Sequence, residues 1–143
     1  MYIERVSAAS TELLEAFQRL VPQLTSNNAA PSWEDLAALL VSESALLFVA
    51  RHDNGRIIGA ASLTVYRVPT GLRAIIEDVI VDAEARGQGI GEALVHAALK
   101  AARERGVPAV TLTSNPRREA ANRLYQKMGF LRRDTNAYVY KFR

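Results

Sequence analysis

The sequence predicts a mixed α/β domain ordered β-α-α-β-β-β-α-β-α-β-β, built on a mostly antiparallel central sheet of six to seven strands. Three observations predict it. Apolar residues recur at three- and four-residue spacing in two early and two late segments, the period of helices with one buried face. Three central strand-like runs are joined by turns of a few residues, which makes an antiparallel meander. A further strand-like run follows the third helix and most naturally lies parallel to the strand before that helix. With 143 residues, the chain is long enough for one domain with a real core and short for two. A single domain over 1–143 is expected.

The first strand is read over Tyr2 to Ser7. Ser10 or Thr11 then starts a helix whose apolar face is Leu13, Leu14, Phe17, Leu20, Val21 and Leu24. After the polar break from Thr25 to Pro31, Ser32 is an N-cap with Asp35 three residues on, an aspartate form of the capping box. The second helix carries Trp33, Leu36, Ala37, Leu40 and Val41. Leu46 to His52 and Ile57 to Val68 flank Asp53-Asn54-Gly55-Arg56, where Asn-Gly accepts positive φ and closes a hairpin. Gly59 inside the return strand signals a bulge or close packing. Pro69-Thr70-Gly71 turns the chain into the strand Arg73 to Asp82. The third helix runs Ile90 to Arg105 and is ended by Gly106 and Pro108. Ala109 to Thr113 is a buried-type strand, and Arg117 to Met128 a helix closed by Gly129. Phe130-Leu131 and Asn136 to Phe142 are closing strands, the second alternating Tyr138, Tyr140 and Phe142.

Composition excludes several chemistries. There is no cysteine, hence no disulfide, thiolate metal site or cysteine nucleophile. His52 and His96 are the only histidines and lack ligand spacing, so no metal is expected. Net charge is +3 with a pI near 9.5. The basic residues are scattered, which favours solvated charge over a nucleic-acid surface and suits a polyanionic ligand. The N-terminus lacks a signal peptide's apolar core, and no apolar run reaches membrane-spanning length. A cytoplasmic protein without a membrane partner is the expectation.

The most informative stretch is Val79-Ile80-Val81-Asp82-Ala83-Glu84-Ala85-Arg86-Gly87-Gln88-Gly89-Ile90-Gly91. A strand feeds a glycine-rich loop at a helix start. Unpaired N–H groups and the dipole concentrate positive potential there, and glycines let a phosphate approach the backbone. A P-loop would need Lys-Ser or Lys-Thr after the glycines, and a dinucleotide fingerprint would need its third glycine where Glu92 stands. What remains is Arg86-x-x-Gly89-x-Gly91, which resembles the acyl-CoA pyrophosphate loop, Q/R-x-x-G-x-G/A, of the GNAT superfamily of N-acetyltransferases. A second segment, Asn115 to Phe130, resembles that family's N-x(n)-A-x-x-L/F-Y-x-x-x-G-F motif through Asn115, Ala121, Leu124, Tyr125, Gly129 and Phe130. The element order agrees as well, so the resemblance covers nearly the whole chain.

The resemblance implies a fold, a cosubstrate and a set of roles. The strand at 73–82 would splay from the strand at 109–113. Acetyl-CoA would bind there, its pyrophosphate on Arg86, Gly87, Gln88, Gly89, Ile90 and Gly91 and its pantetheine arm on the backbone of Val79, Ile80 and Val81. Asn115 and Asn122 would add polar contacts, and Tyr125 would protonate the leaving thiolate. An alkylamine acceptor, with pKa about 10, needs a base. Glu77 is the first candidate, working through water. Asp78 is the alternative, or holds the acceptor's positive charge. In a regular strand the pleat would turn these two acids to opposite faces unless a bulge intervenes, and an acid buried there is costly unless paired or used. Structural hydrogen bonding by both is the competing reading. Trp33, Tyr66, Tyr138 and Tyr140 are either core aromatics or acceptor-pocket walls, and Arg117 and Arg118 either solvated charge or contacts to the ribose phosphate. The expected activity is acetyl transfer to a primary amine of a small acceptor by direct attack in a ternary complex, with a homodimer possible. The alternative is a non-catalytic acyl-CoA sensor or interaction domain.

Overall fold

The computed structural model describes all residues, Met1 to Arg143, which divide into two compact units, Met1–Thr113 and Ser114–Arg143. The N-terminal unit holds strands β1 (Tyr2–Val6), β2 (Ala45–Arg51), β3 (Ile57–Val68) and β4 (Gly71–Val81), with helices α1 (Thr11–Leu24), α2 (Trp33–Val41) and α3 (Ile90–Glu104). The C-terminal unit holds α4 (Glu119–Lys127).

The sheet has four strands in the order β1-β2-β3-β4, all neighbours antiparallel. This corrects the expected six to seven. Ala109 to Thr113 contributes only an isolated parallel bridge, Thr111 to Ile75. Pro108 and Pro116 flank it, and neither supplies an N–H to extend a ladder. The closing strands at 130–131 and 136–142 do not form. Arg132-Arg133-Asp134-Thr135 between them offers no glycine for a tight hairpin turn. A strand pattern becomes a strand only where a neighbour completes its hydrogen bonds.

Successive residues of β2 face opposite ways, so its apolar run is buried on both sides. Leu47 and Val49 join Leu13, Ala16, Phe17 and Leu20 of α1 and Leu36 of α2 in one core cluster, with Ile57, Ala60 and Ile80. Leu46 and Phe48 face the side of α3, where they line a cavity with Ala97 and Ala101. Both early helices start as read from the sequence. The Ser10 Oγ accepts from the Leu13 N–H at 3.1 Å, and Ser32 and Asp35 complete a reciprocal capping box. Arg51 ties three elements together. Its guanidinium donates to both carboxylate oxygens of Glu12 at 2.9 and 3.0 Å and to Glu4 at 2.7 Å. The guanidinium of Arg51 holds the Glu12 carboxyl below its ordinary range.

Gly59 sets how close α3 lies to the sheet. A Cβ there would sit 2.9 Å from the Ile80 carbonyl oxygen, 3.1 Å from Leu94 and 3.2 Å from Ile90. The carbonyl cannot yield without disturbing the β3–β4 ladder, so α3 and the glycine loop that starts it would shift. Gly59→Ala is expected to cost about 1–3 kcal/mol, as overpacking does. Thermal unfolding checks this; an unchanged midpoint would mean that the helix already has slack.

Candidate active site

β4 departs from a regular ladder at the point that matters. Ser62 pairs with Glu77 and Ala60 with Ile80, so Ala61 alone faces Asp78 and Val79. Two residues against one is a β-bulge, which re-aims side chains and opens the ladder locally. Asp78 takes up the distortion with φ at 52°, the only positive-φ residue in the chain that is not glycine. Aspartate tolerates this region better than most residues. The Ser62 hydroxyl donates to the Glu77 carbonyl at 3.0 Å, which pins the bulge.

The bulge interrupts the pleat, and Glu77 and Asp78 are both exposed while Ile80 is buried. The desolvation cost expected of acids inside a buried strand therefore does not arise. These carboxylates are instead held at the surface beside a strained backbone. On its outer edge β4 meets Thr111 alone. The Ile76 N–H donates to the Thr111 carbonyl at 2.9 Å, and the Thr111 N–H to the Ala74 carbonyl at 3.0 Å. No strand pairs with that edge from Glu77 to Val81.

Below the bulge the chain enters the glycine loop through a fixed joint. Asp82, 5% exposed, accepts from the Glu84 N–H at 3.2 Å and starts the 3-10 turn Ala83–Ala85. The Ala83 N–H donates to the Gln23 side chain at 2.8 Å. Arg86 Nε reaches back to the Val81 carbonyl at 3.4 Å. Gly87 and Gly89 both have φ of 78°, and a Cβ on either would touch nothing within 4 Å. Gly89 is the N-cap of α3 and supplies no side-chain cap. The first N–H groups of α3 thus lack a side-chain acceptor, and the space over Gly87 and Gly89 is open. Ile90 is buried and anchors the helix start. Glu92 turns toward His96 at 3.8 Å, one helical turn along.

In the C-terminal unit, Asn115 organises the entry to α4. Its side-chain oxygen accepts from the Arg117 N–H at 2.9 Å. Its carbonyl accepts from the Arg118 N–H at 3.0 Å and the Asn122 side-chain amide at 3.1 Å. The amide nitrogen of Asn122 is thus engaged locally. Tyr125 is 6% exposed and packs edge-to-face on Phe130, ring centroids 5.7 Å apart. Burial raises its phenol above the ordinary value of 10.0, against a smaller opposing pull from Arg118. Its proton is retained through neutral pH, as a general acid needs.

Glu77, Asp78, Val79, Ile80, Val81 and the loop Arg86 to Gly91 thus share one unit, and Asn115, Asn122 and Tyr125 share the other. Sequence reasoning missed Ser62 and Gln23. Each acts on backbone contributed by a distant segment, and neither stands out in a polar helix face or a run of small residues. Trp33, Tyr66, Tyr138 and Tyr140 are exposed rather than core.

The chain is similar to known proteins in sequence and in fold. A family model described as the acetyltransferase (GNAT) family matches residues 10–130. Glucosamine 6-phosphate N-acetyltransferase 1 of Oryza sativa subsp. japonica is 32% identical over 122 residues, 83% of this chain and 72% of that protein. Glucosamine 6-phosphate N-acetyltransferase of Trypanosoma brucei brucei is 40% identical over 79 residues, 53% of this chain and 52% of that one. In fold, the chain is similar to an aminoglycoside acetyltransferase from an uncultured soil metagenomic sample, solved in complex with sisomicin. The TM-score is 0.86 at 23% identity, covering 99% of this chain and 96% of that one.

Proposed function

The chain belongs to the acetyltransferase (GNAT) family, and from that premise we propose that it moves an acetyl group from acetyl-CoA to a primary amine of a small acceptor by direct attack in a ternary complex. Acetyl transfer with acetyl-CoA as cosubstrate is the chemistry of the family. Amino sugars are the acceptor class to try first, because relatives at 32% and 40% identity carry names that specify glucosamine 6-phosphate.

One observation carries the reading. A single strand presents two acids on a strained bulge, ends about 13 Å beyond Glu77 at roughly 3.3 Å per residue, and leads through the turn Ala83–Ala85 and the glycine loop to a helix start without a side-chain cap. The edge between them is unpaired. A cosubstrate with an anionic end and an amide-rich arm matches both features. The pyrophosphate is assigned to the N–H groups of Gly87 to Gly91, with Arg86 beside it. The arm is assigned to the backbone of Val79, Ile80 and Val81, in the manner of an added strand. Glu77 is assigned the proton that the acceptor's ammonium loses, through water, before the free amine attacks, and Asp78 the acceptor's positive charge. Tyr125 is assigned the proton that the leaving thiolate takes up, and Asn115 and Asn122 polar contacts to the arm. The same exposed carboxylates on one bulge also favour a cationic acceptor over an anionic one.

The test is thiol release from acetyl-CoA across a panel of amino sugars, polyamines and peptides with free N-termini. Turnover fastest with an amino sugar is expected. Thermal stabilisation by acetyl-CoA with no turnover on any amine would overturn catalysis and leave a binding protein. Glu77→Gln is expected to depress activity most at low pH, where free amine is scarcest, and least above pH about 9. A pH-independent loss would assign Glu77 to binding instead of proton removal.

A further inference from the structure

We propose that the cavity between β1 and α3 binds a small amphipathic carboxylate, an aliphatic or arylalkyl acid whose hydrocarbon body fills it while its carboxylate meets Arg5 and Lys100. The cavity measures about 430 Å³, within the range of small-ligand sites. Strand register builds one wall. Arg5 stands opposite Phe48 and Ile3 opposite Ala50, and residues two apart on a strand share a face. Ile3, Arg5, Leu46 and Phe48 therefore point to the same side. Ala97, Lys100, Ala101 and Glu104 of α3, spaced by three and four, form the facing stripe.

The space exists because the apolar part of that stripe is small. Ile90 and Leu94 seat the start of α3 against Gly59 of β3, whereas Ala97 and Ala101 offer one methyl group each on the side of β1. Ile3 is left half-buried beside the buried side chains of Leu46 and Phe48. Arg105 ties the end of α3 to the loop before β2, its Nη1 donating to the Glu43 carbonyl at 2.9 Å. That bond holds the helix end in place beside the cavity. The site is separate from the glycine loop. Lys100 lies about 15 Å along α3 from Ile90, at 1.5 Å per residue, and β1 is at the opposite edge of the sheet from β4.

Charge selects an anion as the occupant. Arg5, Lys100 and Arg105 line the cavity against a single acid, Glu104. Arg5 and Lys100 are exposed and form no hydrogen bond or ion pair within the chain. Lys100 precedes Glu104 by one helical turn, the weaker order for an ion pair along a helix, and the two do not pair. Long basic side chains lay their stems on apolar surface and keep the charge toward water. A carboxylate at the mouth would therefore meet two unengaged cations, while its hydrocarbon body displaces water from Ile3, Leu46 and Phe48. A neutral ligand leaves those cations unused, a cationic one is repelled by them, and an anion without a tail forgoes the apolar wall.

Octanoate is the probe, with 1-octanol lacking the charge and acetate lacking the tail. In NMR spectra of the full chain labelled at alanine and isoleucine methyl groups, octanoate should shift the Ile3, Ala97 and Ala101 signals saturably. 1-Octanol should move the same signals with lower affinity, and acetate should leave them in place. Arg5→Gln with Lys100→Gln should weaken octanoate about tenfold, as loss of charge-assisted contacts does, and leave 1-octanol unchanged. Both residues are exposed, so the fold should tolerate the exchange. Ala101→Leu should fill the cavity and abolish binding of both ligands; if that variant fails to fold, the methyl signals of the unsubstituted chain still decide. No saturable shift at Ile3, Ala97 and Ala101, or equal affinity for octanoate and 1-octanol, would overturn the proposal. The readout is binding alone, and Arg5 and Lys100 lie outside the assigned acetyl-CoA site, so the proposal stands or falls apart from the proposed activity.

Discussion

Tyr125→Phe is expected to lower kcat by on the order of 10²-fold or more, the usual worth of a positioned general acid, while acetyl-CoA affinity changes little. The substitution keeps the ring, its burial and its edge-to-face contact with Phe130, so folding should be perturbed by no more than about 1 kcal/mol. Only the hydroxyl is removed, with its proton and its interaction with Arg118. Burial lifts the phenol pKa above 10.0, so the wild type should hold its activity through pH 9 and lose it as the phenol ionises at higher pH. That alkaline fall should be missing from the phenylalanine variant. The sign for stability is the same. The neutral phenol is favoured in the folded chain, so its contribution is complete below the unfolded pKa near 10 and is lost as pH rises through the folded value. Steady-state and single-turnover rates across pH check this. An unchanged kcat, or an alkaline limb that survives the substitution, would remove Tyr125 from proton transfer.

Gly89→Asp is expected to weaken the acetyl-CoA-bound protein far more than the free one. Gly89 caps α3 without a side chain. Aspartate caps helices from extended backbone, so at the left-handed φ of 78° it brings no capping gain, though it accepts that conformation better than most residues. The open space above Gly89 admits its side chain without collision. The strain of a side chain at this φ should lower the melting point of the free protein only modestly, by about 1 kcal/mol in stability. Where the pyrophosphate is assigned, however, the new carboxylate meets negative charge. A like charge at about 4 Å costs on the order of 4 kcal/mol at an effective dielectric constant of 20. Acetyl-CoA at a hundred times its Kd stabilises by about 2.7 kcal/mol, less than that repulsion. The acetyl-CoA-induced rise in melting temperature should therefore vanish, with Gly89→Ala falling between. If Gly89→Asp keeps the full rise, the phosphates bind elsewhere.

The readable parts of the fold and the site are those with local causes. Ser10 and Ser32 announce helix starts because a hydroxyl oxygen meets an N–H three residues on. Asn54-Gly55 announces a hairpin because Gly55 adopts φ of 91°. Arg86 to Gly91 announces an anion site because the backbone freedom and the helix start lie within the same few residues. Glu77 and Asp78 were visible as candidates, yet their surroundings were not. Their common exposure arises from Ala61 facing two residues on β4, a mismatch between strands that neither strand encodes alone. The closing strands fail to form for a related reason. Tyr138, Tyr140 and Phe142 alternate as a strand should, but alternation states only which side chains share a face. It does not supply the neighbouring backbone.

By itself, then, the sequence determined the helices, the meander, the glycine loop and the residue types able to hold and move protons. Each depends on spacing along the chain, where capping, periodicity and turn chemistry act over a few residues. Tertiary structure alone decided the bulge at Asp78, the Gln23 clasp on Ala83, the close seat of α3 over Gly59, and the four-stranded sheet with an open edge beside β4. Each of these is a relation between distant segments, and its energy comes from hydrogen bonds and packing that exist only after the chain has folded.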